Sequence, residues 1–266
     1  MTATSSNPAE ENYGFPQGYF IIRSVAMNRL LDVAQDSHED GKEIILWPSK
    51  ETSLVETLRS PESNNQVFFI DTAGALCSRD SGHALDVEDG RLVLRHRRPI
   101  SHPFPNAYSH PLPHFHYSAE TGEIMVKYEV DPAYPDTDTH DTTWRHKAFH
   151  LTAMPMRKPR TFLDDASEKL SSAMKYPMAL FSGGAPASSP PPVPSKVSEE
   201  FDLREDELEE QDRGEEAEVD DSPEPIRKVR VIGTTRSQAE GLGETARNRR
   251  LWIVSPLRKT SARIMG

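Results

Sequence analysis

Leu31-Asp32-Val33, Asp40-Gly41, Ile44-Ile45-Leu46-Trp47-Pro48 and Asn65-Gln66-Val67-Phe68, in that order, decide how this chain folds. A weaker copy starts at His83-Ala84-Leu85-Asp86-Val87, with its Asp 54 residues after the first. Recurrence of a unit decides a fold more firmly than local propensity does. Working outward, short runs rich in β-branched and aromatic residues occupy 18–23, 29–33, 43–47, 66–70, 75–77, 84–87, 91–94, 115–117 and 123–128. Asn-Arg, Asp-Gly, Ala-Gly and Thr-Gly turns separate them, the spacing of an all-β barrel or sandwich. Phe149-His150-Leu151-Thr152 reads as a late strand, and 53–63 as a loop insertion with a helical turn pattern. Residues 102–116, crowded with Pro and His, and the polar stretch 131–143 read as loops.

The first unit closely resembles a repeat of the ricin B-type β-trefoil lectins. Repeats of that family carry an Asp in a Leu-Asp-Val context, an Asp-Gly or Asn-Gly turn, a Leu-Trp and a closing Asn-Gln-x-aromatic. The resemblance implies an all-β trefoil over 15–155 that binds a glycan or glycoconjugate. Sugars present vicinal hydroxyls on one edge and an apolar C–H face. A carboxylate accepts strong hydroxyl hydrogen bonds, a ring stacks on the C–H face, and an amide both donates and accepts. By resemblance, Asp32 is the hydroxyl acceptor, Trp47 the stacking platform and Asn65 the amide, while Gln66 locks the barrel and Phe68 fills the core. Two departures stand out: Ile45 sits where the family often has a polar amide, and 52–63 lengthens the stretch from Trp47 to Asn65.

The second unit keeps Asp86 and an Asp89-Gly90 turn, but Arg95 or His96 replaces the aromatic. Asp86, Arg95 and His96 form a second candidate site, either closed by a salt bridge or adapted to an anionic ligand. The third unit keeps only Thr121-Gly122-Glu123-Ile124 and Lys127-Tyr128. One sugar site or none is therefore expected.

The rest of the chain has a different composition. Hydrophobic residues make up only 35% of the 266 and prolines number 22, which points to a folded part joined to a disordered one. Residues 1–14 read as a disordered leader with no signal-peptide core. Phe162, Ala166, Leu170, Ala173 and Met174 recur at helical spacing, giving a short amphipathic helix within 156–181. Its polar face is not basic, so docking onto the barrel is expected rather than membrane attachment. Residues 182–225 read as a Pro/Ser linker and an acidic disordered region, with 15 acidic residues against two arginines between Glu199 and Glu224. Residues 226–266 are basic, with ten Lys or Arg and two Glu, and 249–256 is a candidate strand returning to the trefoil.

No apolar run approaches the roughly 20 residues that span a bilayer. The single cysteine, Cys77, excludes an intrachain disulfide framework and points to the cytoplasm. Ricin-type trefoils without disulfides resemble intracellular lectin-related proteins of fungi. His102, His110, His114 and His116 lie among prolines with no carboxylate or cysteine at ligand spacing, so no metal site is expected. No nucleophile elbow, phosphate-binding loop or zinc-protease motif occurs, so a binding module without cofactor is expected, not an enzyme. The basic run Arg95-His96-Arg97-Arg98 invites nucleic acid, but a tethered acidic block would compete at high effective concentration. An intramolecular clamp is the more economical reading. The alternative to a lectin is a protein-interaction scaffold, with the acidic tail holding a protein partner.

Overall fold

The computed structural model describes residues 12–100, 110–132, 143–156 and 220–259. The branched and aromatic runs become strands, twelve among the described residues, and they fall into three groups of four. The first group is β1 (Phe20–Ser24), β2 (Leu30–Val33), β3 (Ile44–Trp47) and β4 (Phe68–Ile70). The second is β5 (Leu76–Ser78), β6 (Ala84–Glu88), β7 (Arg91–Arg95) and β8 (His114–Tyr117). The third is β9 (Ile124–Lys127), β10 (Ala148–Met154), β11 (Lys228–Thr234) and β12 (Trp252–Pro256).

In each group the middle two strands pair as an antiparallel hairpin. The outer strands build a barrel wall through the pairs β1–β12, β1–β4, β4–β5 and β8–β9, with Glu123 of the third group bridging to Leu251. The three hairpins meet in a triangle. Glu43 bridges to Val93, Arg91 pairs with Arg230, and Leu46 bridges to Arg227. A barrel capped by three mutually paired hairpins is a β-trefoil, and the fold is all-β, with only short helices among the described residues.

The registers show why the sequence closes this way. Leu31 faces Leu46, Leu85 faces Leu94 and Leu151 faces Val231, all buried in one core. Phe68, Phe115 and Trp252 take corresponding places on the last strand of each group, and Phe20 and Ile124 join them on first strands. Burying each such side chain contributes roughly 1.5–3 kcal/mol. The Trp252 indole N–H also donates to the Leu151 carbonyl at 3.0 Å, so its polar atom is satisfied. Between β6 and β7, Asp89 and Gly90 both adopt positive φ, 50° and 72°, as a two-residue hairpin turn of the mirror-image type requires.

Several boundaries differ from the sequence expectation. A domain ending at 155 would cut the third group in two, because β10 and β11 pair along seven residues, from Ala148 with Thr234 to Met154 with Lys228. The 155–227 segment is an insertion within that hairpin, and β12 is the barrel strand beside β1. Hairpin arms are normally two to five residues apart, so nothing local announces such a pairing. At the insertion's base, buried Arg227 gathers the carboxylate of Asp220 and the carbonyls of Ser222, Glu224 and Ile226. Residues 220–225, expected to belong to the disordered region, are thereby held in place. At the other end, Asn12, Tyr13 and Gly14 form a turn, and the Tyr13 carbonyl accepts from the Tyr117 amide at 2.9 Å. The leader expected to reach 14 thus ends earlier. His114, expected in a loop, lies on β8, as does His116, which belonged to both the expected loop 102–116 and the expected strand run 115–117. The helix expected within 156–181 and the acidic stretch before 220 lie outside the described residues.

Candidate functional site

Asp32 pairs with Ile45 across the first hairpin, and Leu30 pairs with Trp47. Side chains paired across strands share a face, and alternate residues of one strand do too. Asp32 and Trp47 are therefore diagonal neighbours on the outer face, opposite the Leu31–Leu46 core pair. Trp47 is half-buried. The sequence brings Asn65 and Gln66 onto the same carboxylate through a 3-10 turn over Pro61–Gln66.

Asp32 is 2% exposed, and both its oxygens are engaged. Oδ1 accepts from Asn65 Nδ2 at 2.6 Å, and Oδ2 accepts from Gln66 Nε2 at 2.8 Å. Gln66 also donates to the Pro48 carbonyl at 2.9 Å and accepts from the Lys50 amide at 3.0 Å. It thus ties the chain after Trp47 to the first hairpin. Burial pushes the Asp32 carboxyl up to about 6 from its ordinary 3.8, despite the Gln66 bond and the charge of Lys50.

Two residues absent from the sequence reading complete the site. The Asp36 carboxylate accepts a short hydrogen bond from Asn65 and another from Lys50 Nζ at 2.6 Å. The same ammonium stands 3.7 Å from Asp32 Oδ2. Asp36 and its neighbour Gln35 both have positive φ, 51° and 60°, without being glycine. Strain of this kind persists where surrounding structure over-determines it, and it concentrates at functional sites. Asn65 spends its Nδ2 on the two carboxylates, and its Oδ1, buried, has no hydrogen-bond partner.

The second candidate site is differently furnished. Asp86 is 1% exposed, and its Oδ2 accepts from Arg95 Nε at 3.1 Å and from His110 Nε2 at 2.8 Å. Arg95 takes the position of Trp47, two residues beyond the partner of the Asp. It also reaches Asp40 and Glu88. The His96 amide donates to Asp40 at 2.7 Å, and its ring, with Nδ1 3.8 Å from the same carboxylate, stands edge-on to His83. These groups close on one another as internal ion pairs. In the third group the register puts Thr152 where Asp32 and Asp86 stand, opposite Arg230. Its hydroxyl donates to the His150 carbonyl at 3.2 Å. Cys77 is buried, its thiol pushed up to about 12 by desolvation, which makes it inert.

Comparison with models of known protein families and with curated proteins yields no match. Among solved structures, the chain is similar to the mdaA-1 domain at 14% identity and a TM-score of 0.42, covering 91% of each chain. It is similar to a mutant C-terminal domain of an earthworm lectin in complex with 6'-sialyllactose, at 19% identity and a TM-score of 0.34, covering 55% of this chain and 83% of that one. The ricin B-like lectin of Macrolepiota procera, in complex with lactose, gives 19% identity and a TM-score of 0.28, covering 43% of this chain and 70% of that one. The assignment to the β-trefoil class rests on the strand pairing above.

Proposed function

We propose that this chain is a non-catalytic carbohydrate-binding module with one glycan site, in the first trefoil group. The observation that carries the reading is the meeting of Asp32, Asn65 and Gln66 beside half-buried Trp47 on one outer face. The other groups lack this set: Asp86 is consumed by Arg95 and His110, and Thr152 replaces the carboxylate. Trp47 supplies the stacking face, and Asp36 at the rim supplies an acceptor that side-chain movement of Lys50 would release. Asp32, beneath them, orients the Asn65 amide.

A protein-interaction scaffold is the second reading, favoured by the burial of Asp32 and by the ammonium of Lys50 over it. A glycan array separates the two. The lectin reading expects binding by wild type that Trp47→Ala abolishes while the melting temperature shifts by only a few degrees. A folded wild type that binds no glycan would leave the scaffold.

A further inference from the structure

Lys50 holds its ammonium between two carboxylates at the mouth of the site, 2.6 Å from Asp36 and 3.7 Å from Asp32. The surrounding groups favour a donor. Both carboxylates accept, and Asn65 Oδ1 is a buried acceptor left without a partner. The Lys50 side chain is 27% exposed and rides on the chain after β3, so rotation about its own bonds can clear the place it fills. Once it leaves, the two carboxylates face each other without a counter-charge, and a neutral hydroxyl compensates them poorly. A ligand ammonium restores the balance with charge-assisted hydrogen bonds.

We infer that the first-group site selects glycans carrying a free amino group, the ligand's ammonium taking the place of Lys50 between Asp32 and Asp36. This rests on the glycan-binding reading above and specifies its ligand class. Lys50 is then an internal stand-in for the ligand: it offsets part of the charge of the two carboxylates in the empty site and competes with occupancy. Asp36 is the residue that reads the amino group, since its carboxylate lies at the rim and Asp32 lies beneath it.

The test measures binding of the methyl glycosides of glucosamine and galactosamine, each beside its N-acetyl form and its parent neutral sugar. Single-amine probes are chosen because a polycationic oligomer would be drawn to the acidic block of this chain whatever its site prefers. Full-length wild type, Lys50→Ala and Asp36→Asn are titrated by calorimetry at pH 7, above the Asp32 value of about 6, where the carboxylates are ionised and a substantial share of the sugar amine is still charged. The amino form of at least one sugar should bind about tenfold more tightly than its N-acetyl partner. Lys50→Ala should strengthen the amino form by a further several-fold, and Asp36→Asn should erase the preference. Equal or tighter binding of N-acetyl or neutral sugars by wild type and Lys50→Ala would overturn the amino-group selectivity and leave the lectin reading standing. No binding of any of these sugars by any folded variant would overturn the amino-group selectivity, and a wild type equally silent on the glycan array would overturn the lectin reading with it.

Discussion

The first and second trefoil groups bury the same aspartate at the same register and satisfy it in opposite ways. Asp32 is held by two neutral amides, Asn65 and Gln66, with one ammonium at a distance. Asp86 is held by a guanidinium and an imidazole, and Arg95 carries the network on to Asp40 and Glu88. Amides orient a carboxylate and leave its charge largely uncompensated, so the site keeps an appetite for donors. Ion pairs neutralise the charge and end the matter. The difference lies in two changes of role, an indole at position 47 against a guanidinium at position 95 and the amides of Asn65 and Gln66 against the imidazole of His110.

Breaking the second group should have the larger effect on stability. Arg95→Met leaves Asp86 buried with only His110 and the Val87 amide as donors, and removing one partner of a buried pair costs about 3–5 kcal/mol. Urea unfolding should show that loss. A change under about 1 kcal/mol would mean the network contributes nothing net. For Asp32 the contrast is sharpened by pH. Its folded-state value of about 6 exceeds the ordinary 3.8, so the native state holds the proton more tightly. The stability it contributes is fully present below pH 3.8 and is lost as pH rises through 6, up to about 3 kcal/mol in all. Urea melts of wild type and Asp32→Asn across that window should show a decline in wild type that the variant lacks.

Gln66→Ala comes next. It strips a donor from Asp32 and from the Pro48 carbonyl, and an acceptor from the Lys50 amide, at a cost of about 1–3 kcal/mol. The smallest effect on stability is expected for Trp47→Ala, about 1–2 kcal/mol because the ring is only half-buried, yet this variant should lose all glycan binding. If Trp47→Ala instead destabilises as severely as Arg95→Met, the indole is a wall residue and the contrast between the groups collapses.

How much of this was legible follows from what is local. The Leu-Asp-Val copies and the Asp89-Gly90 turn mark hairpins, because side-chain alternation and turn chemistry are written within a few residues. Asp32, Asn65 and Gln66 were legible as a set, and they do converge. The third group was legible only in part: 249–256, read as a returning strand, is β12 beside β1, but the hairpin was missed, since Thr152 replaces the marker aspartate and its partner strand lies beyond the insertion. Asp36 and Lys50 escaped as well. Their meeting depends on two consecutive left-handed residues and on the course of the chain after Pro48, neither of which has a compositional signature.

The insertion in the third hairpin leaves Met154 and returns to Lys228, two residues that are paired neighbours in the sheet. A backbone cut anywhere between them would divide the described strands into a fragment with ten and a fragment with two. The smaller one is clamped twice, by β11 along β10 and by β12 along β1. Nicked chain of this design should migrate as one particle under native conditions and as two under denaturing ones, so the covalent link there carries sequence, and the sheet carries the assembly.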